Sequence, residues 1–224
     1  MKKTVFAILL FAIVSMVSFA DDYIYIGPNY TATFSESGTN SGIGFQFSAI
    51  GEYSTTFKIY SALGYIYNIN AKDDFIKSNE LSKLGVKFND VNLHILPLRI
   101  GYPFSLNISE KMRMFFIPAL AFDIQFFSAN FTQRIAGFKI DYKMRGFGYS
   151  MGPSFNVCVQ NKFTDKLYIR YGIDFDMPMI TFMFFDCDYS GFIRGSTSDS
   201  KFSTFADNFM LSASPYVCMG FKIK

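Results

Sequence analysis

The chain has 224 residues, half of them hydrophobic, with 29 Phe, 14 Tyr, no Trp and a formal net charge of +3. With Lys2 and Lys3 set aside the two signs nearly cancel, which excludes the cationic footprint of a nucleic-acid-binding protein. A single His and three widely separated cysteines, Cys158, Cys187 and Cys218, give neither a disulfide framework nor zinc-ligand spacing.

Residues 1–20 have the form of a secretory signal peptide. Lys2 and Lys3 precede an apolar run from Val5 to Val14, and Ser18-Phe19-Ala20 supplies the small-x-small site for cleavage before Asp21. Residues 21–224 are then expected to be one domain. No later segment supplies the eighteen or so continuous apolar residues of a spanning helix.

Apolar residues recur instead with a period of two, the signature of a strand whose faces meet different media. The first strand is expected over 22–34, followed by a polar turn. The second, 41–51, alternates Ile43, Phe45, Phe47 and Ala49 with Gly44, Gln46 and Ser48. The third, 54–70, sets Ile59, Leu63, Tyr65 and Tyr67 against Lys58, Tyr60 and Gly64, and a charged loop covers 71–90. The fourth, 91–104, alternates Leu96, Leu98 and Ile100 with Pro97, Arg99 and Gly101.

In the fifth, 112–128, Phe116, Leu120, Phe122, Ile124 and Phe126 lie opposite Arg113, Ala121, Asp123 and Gln125. A polar connection over 129–143 is placed to extend this hairpin. The sixth strand, 144–160, has small residues on its polar face, which suits a crowded barrel interior. The seventh, 166–180, interleaves Tyr168, Arg170, Gly172, Asp174 and Asp176 with Ile169, Tyr171, Ile173 and Phe175. An aromatic, Ser-rich loop over 181–207 leads to the eighth strand, 208–224. That loop reads either as a hydrophobic lid or as outward extension of strands seven and eight.

Eight amphipathic strands, with the three longest connections after the third, fifth and seventh and short turns after the second, fourth and sixth, predict an antiparallel up-and-down transmembrane β-barrel. On these strands and on the segment Leu93-His94-Ile95-Leu96-Pro97-Leu98-Arg99-Ile100-Gly101-Tyr102, the chain resembles the small eight-stranded outer-membrane barrels of the OmpA transmembrane, OmpX and OmpW type, with a spirochaete-like composition. It departs from them in ending Phe221-Lys222-Ile223-Lys224 instead of on an aromatic residue. The resemblance implies a bacterial outer-membrane location, lipid as the surrounding partner and extracellular or host partners for the outer loops.

The polar face, placed inward, gathers Lys58, Arg99, Arg113, Asp123, Arg170, Asp174, Asp176 and Lys222 as lumen residues. They make either a salt-bridged plug or the constriction of a narrow OmpW-like channel for small or hydrophobic solutes. His94 is expected at the outer rim, hydrogen-bonded, with no nucleophile signature around it. Asp73-Asp74 and Asp186-Cys187-Asp188 lack the ligand spacing of a calcium loop. Neither catalytic nor metal-ligating residues nor a cofactor are therefore expected, and the leading reading is a monomeric structural or surface-interacting barrel. A secreted lipocalin-like barrel would need the opposite arrangement, with the apolar face inside.

Overall fold

In the computed structural model the described residues are 23–35, 38–52, 58–71, 86–191, 194–204 and 210–223. The signal-peptide expectation and Asp73-Asp74 lie outside them. The strands in chain order are β1 (Tyr23–Ser35), β2 (Gly38–Glu52), β3 (Lys58–Asn68), β4 (Val86–Gly101), β5 (Phe104–Asn107), β6 (Met112–Ile135), β7 (Phe138–Lys162), β8 (Leu167–Asp176), β9 (Ile180–Gly191), β10 (Gly195–Thr204) and β11 (Met210–Lys222).

Eight of them, β1, β2, β3, β4, β6, β7, β8 and β11, form a ring of antiparallel neighbours closed by the β6–β7 and β1–β11 pairings. Closure gives every ring strand a partner on both sides, the condition for placing strand backbone in a lipid phase. The short β5 pairs with the start of β6, β9 pairs with the outer half of β7, and β10 pairs with β9.

The side chains are distributed in the opposite sense to a soluble barrel. Ile100 and Leu120 point outward and are 68% and 56% exposed, whereas Arg99 and Arg170 point inward and are 1% and 0% exposed. An apolar exterior around a polar interior overturns the lipocalin-like alternative, which needs these two sets exchanged.

Two expected loops are strand. β6 and β7 run to Ile135 and Phe138, joined through Ala136 and Gly137 with φ of 51° and 86°. Two successive positive φ values make a hairpin turn whose twist matches the flanking strands, and Gly137 adopts one of them without a Cβ penalty. The connection over 129–143 is thus the outer half of a hairpin.

The aromatic segment over 181–207 likewise contains β9 and β10, paired from Ile180↔Thr204 to Tyr189↔Gly195. β8 stops at Asp176, and the chain steps outward through Met177, Pro178 and Met179. Met177 N donates to Pro153 O at 3.0 Å and Met179 N to Met151 O at 2.9 Å, after which β9 continues along β7. Pro178, having no N–H to donate, sits in this interruption of the ladder. β4 also starts earlier than expected, at Val86, because a register shift between Phe88 and Asp90 carries its pairing with β6 past the bulge.

The outer parts of β4, β6, β7, β9 and β10 therefore make a wall rising from the ring, and its two faces exchange character along the way. Within the ring the inward positions are Asp123, Gln125 and Ser150; above it they are Phe127, Ala129 and Met144, part of an apolar cluster with Phe88, Val91, Phe131 and Phe185. The outward positions change in the reverse sense, from Phe126, Phe147 and Phe184 to Ser128, Arg145 and Asp186. A sheet passing from lipid into water must make this exchange, because its outward face then meets solvent. The exchange falls just beyond the row of Phe126, Phe147 and Phe184.

The lumen and the outer wall as candidate functional sites

At the short-turn end Glu52 holds two cations: Lys58 Nζ is 3.3 Å from its Oε1 and Arg113 Nη1 3.1 Å. Both are partly exposed, and Arg113 Nε also donates to Asn107 Oδ1 at 3.0 Å. Lys222 is exposed at the same end. These three inward-parity residues belong to the mouth of the barrel and not to its interior, because the strands carrying them begin or end there.

One tier further in, Tyr25, Ile50, Tyr60, Phe115, Ile117, Tyr216 and Cys218 form a buried cluster. The Arg170 guanidinium lies inside it, its central carbon 4.9 Å from the ring centre of Tyr25, 5.2 Å from Tyr60, 5.7 Å from Tyr216 and 5.9 Å from Phe115. Arg170 Nε donates to Cys158 Sγ at 3.0 Å and Nη2 to Asn156 Oδ1 at 3.1 Å. Aromatic faces hold a cation through their quadrupoles where no carboxylate is at hand. Tyr25 completes the tier by donating its hydroxyl proton to Gln160 Oε1 at 2.6 Å.

Above this cage the acids gather around Arg99. Its Nε donates to Asp176 Oδ1 at 2.9 Å and its Nη2 to Asp176 Oδ2 at 2.5 Å, while Nη1 is 3.7 Å from Asp174 Oδ2. Asp174 Oδ1 accepts from Asn156 Nδ2 at 2.6 Å, so Asn156 links the Arg99 and Arg170 tiers. Asp123 is not drawn into the group by a direct contact; it accepts from Ser150 Oγ at 3.2 Å.

Of the eight residues expected in the lumen, the tertiary structure thus brings Arg99, Asp174 and Asp176 together, sets Arg170 one tier away, keeps Asp123 with Ser150, and leaves Lys58, Arg113 and Lys222 at the mouth. The cage of Tyr25, Tyr60, Phe115 and Tyr216 was not foreseen as a site. Its sequence signal is aromatic residues at polar-face positions of their strands. An eight-stranded ring is just wide enough for such side chains to fill it.

His94 lies on the outer face with its Nδ1 2.7 Å from Tyr65 Oη, and its ring is 5.3 Å from that of Tyr67. This is the hydrogen-bonded rim position expected. Asp186, in the wall, accepts from Ser198 Oγ at 2.8 Å.

No family model and no curated protein matches the sequence. Solved structures match its fold. Ail, the attachment invasion locus protein of Yersinia pestis, aligns over 91% of this chain and 99% of its own with a TM-score of 0.51 at 10% identity. The same protein in complex with the heparin analogue sucrose octasulfate aligns over 90% and 97% with a TM-score of 0.50 at 7% identity. The Neisserial surface protein NspA aligns over 91% and 98% at 11% identity, with a TM-score of 0.46. The chain has the fold of the small eight-stranded outer-membrane β-barrels.

Proposed function

We propose that the chain resides in a bacterial outer membrane as a monomeric barrel whose interior is a structural plug and whose outer wall is its working surface. The observation that carries this reading is the burial of Arg99 and Arg170 in a side-chain-filled lumen, while five strands continue outward into a wall. A lumen braced by ion pairs and aromatic rings favours rigidity over passage, and a wall with a solvent-type polar face is suited to meeting soluble or cell-surface partners. The structural likeness to Ail supports the barrel; partners of the wall are proposed from the wall itself.

Conductance of the refolded chain in a planar bilayer, after heat-modifiable migration has confirmed folding, tests the plug. A folded, silent barrel is expected. Discrete conductance steps that change on substituting Arg99 or Arg170 would replace this reading with the narrow channel. The wall is tested by replacing residues 131–142 with a two-residue Asn-Gly turn, which keeps the Asn130↔Lys143 pair and every β6–β7 pair from there to Met112↔Asn161. The shortened barrel is expected to fold and to lose attachment of expressing cells to host-cell layers; unchanged attachment would remove the hairpin tip from the working surface.

A further inference from the structure

The outward face of the wall changes chemistry within one strand step. Phe126, Phe147 and Phe184 are register partners across β6, β7 and β9, and the rings of Phe126 and Phe147 are 5.5 Å apart. The next outward row is Ser128, Arg145 and Asp186, and above it come Asn130, Lys143 and Asp188. A groove of about 650 Å³ spans the rows, lined by the three Phe side chains together with Arg145, Lys143 and Asn130 among others. Aromatic rows of this kind sit where acyl chains give way to headgroups. Two cations therefore stand at headgroup height over an apolar floor.

Neither cation is held in a direct ion pair. Asp186 and Asp188 are the register partners of Arg145 and Lys143 on β9, yet neither cation forms an ion pair among the described residues. Asp186 lines the groove beside Arg145 but accepts its hydrogen bond from Ser198 Oγ on β10, at 2.8 Å, and Asp188 is not part of the groove lining. On the opposite side Ser128 and Asn130 add neutral hydrogen-bond donors.

We propose that this groove binds an anionic, phosphate-bearing lipid of the outer leaflet, with its acyl chains against Phe126, Phe147 and Phe184 and its phosphate between Arg145 and Lys143. The inference rests on the outer-membrane reading. The Arg145 fork matches two phosphate oxygens, Lys143 supplies a point charge on the next row, and the aromatic floor takes the hydrocarbon. A soluble anion would leave that floor unused.

The test uses the barrel in phosphatidylcholine nanodiscs containing a small fraction of lipid A, either phosphorylated or with its phosphates removed, with retained lipid counted by native mass spectrometry. The phosphorylated form is expected to be retained over the other, and the K143Q/R145Q double variant to retain about tenfold less of it, since two charge-assisted contacts go. K139Q, whose lysine is bonded to Asp141 at the hairpin tip, is expected to behave as the parent. Equal retention of the two lipids, or by the double variant, overturns the site. Heat-modifiable migration of the same samples separates the two readings. A folded barrel without lipid preference sinks the lipid site alone, whereas a chain that stays soluble without detergent and never shifts on heating sinks the membrane reading with it.

Discussion

Arg99 on β4 and Asp176 at the end of β8 form a two-point contact, Nε to Oδ1 at 2.9 Å and Nη2 to Oδ2 at 2.5 Å, although β6 and β7 separate their strands in the ring. The pair is a chord across the lumen. It ties non-neighbouring strands by a route that the backbone ladder does not provide, and the Asp174 carboxylate shares the same guanidinium.

Breaking that chord strands charge in a closed interior. Arg99→Met leaves Asp174 and Asp176 without their cation and is expected to cost about 3–5 kcal/mol, the usual effect of removing one partner of a buried pair. Adding Asp176→Leu should recover part of the loss. Urea unfolding of the refolded barrel in lipid, followed by tyrosine fluorescence, measures both. A single variant as stable as the parent would mean that water reaches these carboxylates.

Arg170 predicts a smaller effect. It forms no ion pair with a carboxylate among the described residues, so Arg170→Met removes cation–π contacts and the bonds to Cys158 and Asn156 without leaving an opposite charge behind. A loss of about 1–2 kcal/mol is expected. In the same unfolding assay, a larger loss than Arg99→Met would contradict the view that the cage is held by aromatic faces.

The medium outside the barrel can be read from two residues of similar exposure. Leu120 on β6 is 56% exposed within the ring, and Ile135 is 49% exposed at the far end of the same strand. Leu120→Arg is expected to cost about 2–4 kcal/mol in a bilayer, as a cation near the midplane does. Ile135→Arg, in water beyond the Phe126 row, should stay within about 0.5 kcal/mol of the parent. Equal costs would remove the lipid boundary from its place on β6.

Cys187 tests which side the wall is on. Burial, with the Asp188 carboxylate adding to it, pushes the Cys187 thiol up from its ordinary value, so less thiolate is present at neutral pH and the alkylation profile shifts to alkaline pH. Asp188→Asn should move the profile part of the way back. On intact cells a membrane-impermeant maleimide is expected to label Cys187 slowly, while Cys158 and Cys218, both buried in the lumen, stay unlabelled until unfolding. Labelling confined to permeabilised cells would put the wall on the inner side.

The alternation of strands such as β6 and β8 was legible because a two-residue period follows from backbone geometry alone. Leu120 and Asp123 could be assigned to opposite faces without knowing any partner. The number of ring strands and the hairpin ends of the long loops followed from the same pattern with the loop asymmetry. The outer extents of β6, β7 and β9 did not, because above Phe126 the apolar residues move to the other face, and a pattern that reverses its sense reads as loop when only one sense is expected.

What the sequence determined by itself was therefore the local part: strand content, the polar and apolar faces, and the residues destined for the interior. Which interior charges meet was decided only by closure of the ring. Arg99 and Asp176 are 77 positions apart, and Arg170 reaches Tyr25, Tyr60 and Tyr216 on three other strands. Contacts across a lumen depend on strand stagger and on the curvature of the closed sheet, properties of all eight strands together, and no single strand encodes them.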